Sequence, residues 1–116
     1  MAEKISEGVT KEILRPGNGK MPKSGDTITV NCTGSLVDSQ KKFWSTHDEG
    51  QKPFSFQVGK RRVIAGWDEG CLTMKEGEKA RLVLQAHKAY GTTGFPAWNI
   101  PPNAPLQFDI ELLKIN

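Results

Sequence analysis

Apolar and polar residues alternate in several short runs, and the alternation predicts strands. Val9 to Leu14 reads as a first strand, ended by the turn-forming Arg15-Pro16-Gly17-Asn18-Gly19. From Thr27 to Leu36, Ile28, Val30 and Cys32 share one face and Thr27, Thr29 and Asn31 the other, the pattern of a half-buried strand. Phe54, Phe56 and Val58 share a face between Pro53 and Val58, and Gly59-Lys60 turns the chain. Ala80, Leu82 and Leu84 alternate within Lys79–Gln85, and Leu106 to Leu112 closes the series. One stretch breaks the period: Trp67, Cys71 and Met74 recur at helical spacing between Ile64 and about Met74. Asp68 and Glu69 lie opposite them, and Gly77 is the stop. Residues 34–50 are polar and loop-like, interrupted by Phe43-Trp44. Residues 86–105 carry four prolines and read as a long irregular connection. Its Tyr90, Phe95, Trp98 and Ile100 argue against disorder. The sum is an α+β fold: a mostly antiparallel sheet of about five strands, with one short helix covering a face.

Within the helical stretch, Val63-Ile64-Ala65-Gly66-Trp67-Asp68-Glu69-Gly70 is the most informative segment. A Trp beside a bare Gly, with β-branched residues just upstream, suits the floor of an apolar cup. A core Trp without function fits the same letters. Phe43, Phe54, Phe56, Val63, Ile64, Tyr90, Ile100 and Phe108 come from separate segments, and a sheet wrapped on one helix would bring many of them to Trp67.

Composition narrows the function classes. At 116 residues the chain is expected to form one domain, 1–116, able to bury a core without staples. Its net charge of +3 is too small and scattered to imply nucleic acid. No run of 18 apolar residues is present to span a membrane, and Met1-Ala2-Glu3-Lys4 lacks a signal-peptide core, so a cytoplasmic protein is expected. Cys32 and Cys71 have no zinc or redox spacing, and His47 and His87 are unmatched to them; free thiols, no metal and no cofactor are expected. No nucleophile elbow and no Gly-rich phosphate loop occurs. The carboxylates read as solvated residues on polar faces.

A whole-chain resemblance adds to this. Lys52-Pro53-Phe54-Ser55-Phe56, Gly59-Lys60, Val63 to Gly70, Ala89-Tyr90-Gly91, Ile100-Pro101-Pro102 and Phe108-Asp109-Ile110-Glu111-Leu112-Leu113 follow one another as in the FKBP family. Arg15 to Gly19 and Val30-Asn31-Cys32-Thr33-Gly34 also fit. The chain resembles those immunophilins, which isomerise peptidyl-prolyl bonds and bind tacrolimus and rapamycin. The resemblance implies a curved antiparallel sheet around a short helix, with a pocket between them. In it, Trp67 is the floor. Phe43, Phe56, Val63, Ile64, Tyr90 and Phe108 are the walls, and Phe54 is the edge. The Ile64 N–H and the Tyr90 hydroxyl donate to ligand carbonyls. The catalytic set it implies is Phe43, Phe56, Trp67, Tyr90 and Phe108. The ligand-binding set is Cys32, Trp44, Phe54, Val63, Ile64, Phe95, Trp98 and Ile100. Implied partners are Xaa-Pro segments of client proteins, the two drugs, and calcineurin or the TOR kinase in drug-dependent complexes.

The chain departs from the family at four places. Trp44 stands where the family has an Asp, so the pocket is expected to lose a polar contact that Trp44→Asp would restore. Cys32 replaces a Tyr, and a thiol that lines or borders the pocket is expected, the alternative being a fully buried thiol that never reacts. Lys88-Ala89-Tyr90 lacks the first aromatic of the usual Tyr-Ala-Tyr. Phe95 replaces a loop His, with Trp98 near the loop tip. Phe95 and Trp98 are expected on the surface as a protein-contact patch, the alternative being that Trp98 roofs the cup. The reading is a prolyl isomerase. The rival is a weakly catalytic binding module presenting a ligand-dependent surface.

Overall fold

In the structure, a computed structural model describing residues 2–48 and 50–115, the alternating runs become strands of one antiparallel sheet. In chain order the elements are β1 (Ala2–Ser6), β2 (Val9–Arg15), β3 (Thr27–Leu36), β4 (Lys42–Ser45), β5 (Phe54–Gln57), α1 (Ala65–Cys71), β6 (Lys79–Leu84) and β7 (Leu106–Ile115). The strand order is β1-β2-β6-β7-β3-β4, with β5 also paired to β3. Seven strands form among the described residues, rather than about five. The two not foreseen are β1, whose Ala-Glu-Lys-Ile-Ser has too few apolar positions to show a period, and β4, too short at Lys42–Ser45 to show one. Both are held by ladder bonds to a longer neighbour, which no local pattern encodes.

Period-two burial is clearest in β3, where Ile28, Val30, Cys32 and Gly34 point inward between half-buried neighbours. Opposite them on β7 stand Leu112, Ile110 and Phe108, and Leu82 on β6 faces Phe108 from the other side. Register shifts interrupt the ladders between Thr29 and Val30 and between Ile13 and Arg15, where an extra residue bends a strand.

Helix α1 is shorter than its apolar period suggested, ending at Cys71 rather than near Met74. It packs on β2 and β6, against β6 through its glycines. A Cβ on Gly66 would stand 2.4 Å from Leu84 Cδ2, and one on Gly70 2.6 Å from Leu82 Cδ1. The bare face of α1 therefore lies on the sheet, and this close approach is what Gly66 provides. Trp67, Cys71 and Met74 enter the core beside it.

Candidate active site

Trp67 is the hub of an aromatic cluster. It is only 4% exposed. Phe108 meets it edge-on at 5.2 Å between centroids, Phe56 lies at 5.6 Å, Phe54 meets it edge-on at 6.1 Å, and Trp44 lies at 6.2 Å. These rings come from β4, β5 and β7, so the sheet folds its aromatics around a residue delivered by the helix. Offset and edge-to-face pairs of this kind contribute about 0.5–1.5 kcal/mol each beyond area burial. The Trp67 Nε1–H is buried without an acceptor among the described residues. A buried donor that meets no protein acceptor calls for an explanation beyond packing.

Above Trp67 opens a cavity of about 330 Å³ lined by Trp44, Phe54, Arg62, Val63, Ile64, Trp67, Tyr90, Trp98 and Phe108. Most of its surface is apolar ring and aliphatic carbon. Behind the lining stand further members of the expected site. Phe43 stacks on Trp98 at 5.9 Å and meets Phe108 edge-on at 5.7 Å. Gly34 makes room for that pair, since a Cβ there would lie 2.7 Å from the Phe43 ring and 2.8 Å from that of Phe108. Phe56 is buried under Phe54, to which it stacks at 5.5 Å.

The long connection 86–105 is regular in places and folds back on the cup. Phe95 and Ile100 bridge each other through paired backbone hydrogen bonds of 2.9 and 3.1 Å. Between them Pro96–Trp98 forms one 3₁₀ turn, and Asn99 takes a left-handed conformation. The bridge turns Trp98 inward, where it stacks on Trp44 at 5.5 Å. Phe95 stacks on Tyr90 at 5.1 Å. Both Phe95 and Trp98 are half-buried rather than standing on the surface, because rings on either side of the bridge cover them. Ile100 is buried as the anchor of the bridge, at 2% exposure.

The segment carrying Val63 and Ile64 is clamped by Asp68. Its carboxylate oxygens accept the Gly59 N–H and the Arg61 N–H, each at 2.9 Å. Both donors sit in left-handed backbone, Gly59 at φ 80° and Arg61 at φ 58°. Asp68 is buried, not solvated on a polar helix face as its spacing suggested. The clue in the sequence was an acid in the first helical turn just after a Gly-Lys-Arg-Arg turn that lacks side-chain acceptors of its own. Glu78 is likewise buried, paired with the buried Lys11 at 2.9 Å. No hydrogen bond among the described residues uses the Ile64 N–H.

Tyr90 is half-buried, and that burial raises its pKa above the ordinary value; the hydroxyl is a donor at neutral pH with or without the shift. The missing aromatic two residues earlier has become an anchor: Lys88 Nζ donates to both Glu69 oxygens, at 2.9 and 2.7 Å, and Ser6 Oγ donates to the same carboxylate. Desolvation pushes Glu69 upward; the hydrogen bonds from Lys88 and Ser6 and the Lys88 charge overcome it and hold the carboxyl below its usual range.

Two residues change role. Cys32 does not line the cavity. It is 1% exposed on β3, and burial pushes its thiol up to about 12. The strand alternation that placed it inward aims it at the core. Thr46 holds the neighbouring backbone, accepting the Cys32 N–H at 3.0 Å and donating to Asn31 Oδ1 at 2.9 Å. Arg62, which the aromatic pattern passed over, is the charged member of the described lining.

Comparison with known proteins agrees with this geometry. The family model of FKBP-type peptidyl-prolyl cis-trans isomerases matches residues 18–113. The chain is 57% identical over 110 residues to the peptidyl-prolyl cis-trans isomerase FKBP12 of Arabidopsis thaliana, covering 93% of this chain and 98% of that protein. Over 117 residues it is 50% identical to FK506-binding protein 1 of Candida glabrata, covering 100% of each. The solved N-terminal domain of FKBP42 from Arabidopsis thaliana has a TM-score of 0.93 at 32% identity, over 100% of this chain and 92% of that one. With the helix-borne tryptophan ringed by aromatics from the sheet, these matches establish that the chain belongs to the FKBP-type peptidyl-prolyl cis-trans isomerases.

Proposed function

We propose that the cup over Trp67 is where this chain isomerises Xaa-Pro bonds, acting as one domain on exposed segments of client proteins. The observation that carries the reading is the apolar cavity of about 330 Å³ with Trp67 as its floor and rings from several elements as its walls.

The chemistry asks for little else. Rotation about a peptide bond faces about 18–20 kcal/mol because amide resonance must be broken. In the twisted state the resonance is gone and the carbonyl dipole is smaller. An apolar, water-poor cup therefore disfavours the planar form relative to the twisted one, which is differential binding of the transition state. The prolyl ring packs on the Trp67 indole. Val63, Tyr90 and Phe108 confine it, while Phe43, Phe56, Phe95 and Ile100 stiffen those walls from behind. The Ile64 N–H and the Tyr90 hydroxyl hold carbonyls of the substrate on either side of the rotating bond.

Tacrolimus and rapamycin occupy the same cup. Support comes from the name FK506-binding protein 1 carried by a relative 50% identical to this chain. The rim of the drug-loaded cup, with Phe54 and the Trp98 turn, is then the surface that calcineurin or the TOR kinase meets.

A protease-coupled assay on a Leu-Pro peptide, with and without rapamycin, tests the reading. Uncatalysed exchange takes tens of seconds near room temperature, so modest catalysis is visible. Saturable acceleration that rapamycin abolishes is expected. Rapamycin binding without acceleration would instead make the chain a binding module, and absence of both overturns the assignment.

A further inference from the structure

The lip of the cup carries a charge that the isomerisation does not use. Arg62 is the only charged residue in the described lining, which it shares with Trp44, Phe54, Val63 and Ile64 among others. It is exposed, and it enters none of the ion pairs formed by the described residues. Asp68, the carboxylate that anchors this segment, is buried and already accepts the Gly59 and Arg61 N–H groups. Lys60 and Arg61, just before Arg62, are exposed as well and add charge of the same sign.

Position gives that charge a role. Arg62 lies two residues before Ile64 on a segment whose turn is clamped by Asp68. Two residues span at most about 7 Å, roughly the reach of an arginine side chain. The arginine stem can lie along apolar wall while its guanidinium stays in water at the mouth. A peptide whose carbonyl is held at the Ile64 N–H leaves the cup past that guanidinium, so the side chain flanking the proline comes within its range.

We infer that Arg62 sets a charge preference for the substrate: an acidic side chain flanking the proline is favoured over a basic one. The inference rests on the cup being the isomerisation site. Charges at a wet rim interact weakly and are screened by salt. Attraction for Glu and repulsion of Lys together amount to about a three- to tenfold ratio in kcat/KM at low salt.

The test compares peptides with Glu, Leu or Lys before the proline, and a second series with the same residues after it. Each rate is referred to its own uncatalysed rate. The wild-type protein should favour Glu over Lys in at least one series. The ratio should fall toward one near about 1 M salt, where the screening length is about 3 Å. In Arg62→Glu the ratio should invert, with circular dichroism confirming the fold. A wild-type ratio near one in both series, a ratio insensitive to salt, or a ratio unchanged in folded Arg62→Glu overturns the inference. The salt titration needs no variant and tests whether the preference is electrostatic. Arg62→Gln, which removes the charge without reversing it and should bring the ratio toward one, assigns it to Arg62 rather than to Lys60 or Arg61 even if Arg62→Glu misfolds. Turnover of the Leu-Pro peptide by the wild-type protein keeps the two readings apart: without it the cup assignment falls, and with it only the role of Arg62 is in question.

Discussion

The indole rings of Trp44 and Trp98 stack with centroids 5.5 Å apart and planes 17° from parallel. Trp44 arrives on β4 and Trp98 on the turn closed by the Phe95–Ile100 bridge, so two distant segments meet as one wall of the cup. Trp44 also meets Phe54 edge-on at 6.2 Å and reaches Trp67. A carboxylate placed there would be desolvated among rings. Trp44→Asp is therefore expected to lower kcat/KM and weaken tacrolimus binding, the reverse of what the family pattern alone suggests. A double-mutant cycle with Trp44→Leu and Trp98→Leu should give a coupling of about 0.5–1.5 kcal/mol in urea unfolding. Tighter drug binding by a folded Trp44→Asp variant would show that the wall is dispensable.

Trp67 joins stability to function. Trp67→Ala should cost about 3–5 kcal/mol, as truncation of buried aromatics does, and abolish turnover with it. Trp67→Phe separates the two. It retains an aromatic floor and removes the unpartnered Nε1–H, so its stability loss should be much smaller than that of Trp67→Ala. Equal losses for both variants in urea titrations would mean that the indole has a polar role in the fold.

What could be read from the sequence was whatever a short period encodes. β3 and β7 alternate visibly, and so do Ala80, Leu82 and Leu84 on β6, because each buries one face of the sheet. Trp67 was legible as a floor because helical spacing and its glycine neighbours isolate it, although Gly66 serves contact with Leu84 rather than room beside the indole. The Trp44–Trp98 stack was not legible, since it depends on a loop closed by backbone bonds between Phe95 and Ile100. Asp68 misled for a related reason: its partners are backbone N–H groups, which leave no mark in the letters. Arg62 was hidden by its own type, since an arginine in a polar run reads as solvated surface.

Asp68 is expected to act on the site through the segment it clamps. Asp68→Ala leaves the Gly59 and Arg61 N–H groups without their acceptor, at a cost of about 1–3 kcal/mol for such unmet donors. Val63 and Ile64 then lose their fixed position. A rise in KM larger than the fall in kcat is expected. Asp68→Asn, which retains one acceptor oxygen, should lie between wild type and Asp68→Ala. Wild-type KM in a folded Asp68→Ala protein would detach the clamp from the cup.

The cysteines should behave as core residues. Cys32 and Cys71 are both buried and free, and burial raises both thiols, that of Cys32 to about 12. At neutral pH neither supplies thiolate, so iodoacetamide should label neither in the native protein and both in urea. Rapamycin should leave native labelling unchanged at its low level. Rapid native alkylation of Cys32 that the drug slows would return that thiol to the pocket border.

The Glu69–Lys88 pair should give the protein a component of acid sensitivity. The folded carboxyl of Glu69 is held below its ordinary value by Lys88 and Ser6 against desolvation. A depressed carboxylate contributes stability that is present above its unfolded value, about 4.3, and is lost as pH falls through the folded value. The pair is partly open to water, with side chains 33% exposed at Glu69 and 21% at Lys88, so its contribution is nearer that of surface pairs, about 0.2–1 kcal/mol. Urea unfolding at pH about 6 and about 3 should show wild type losing that increment and Glu69→Gln lacking it. Lys88 also lies two residues before Tyr90, so Lys88→Met should loosen the Tyr90 segment and raise KM at neutral pH. An identical pH dependence in wild type and Glu69→Gln would mean that the carboxylate gains nothing from Lys88 on folding, and the anchor for Tyr90 would have to lie elsewhere.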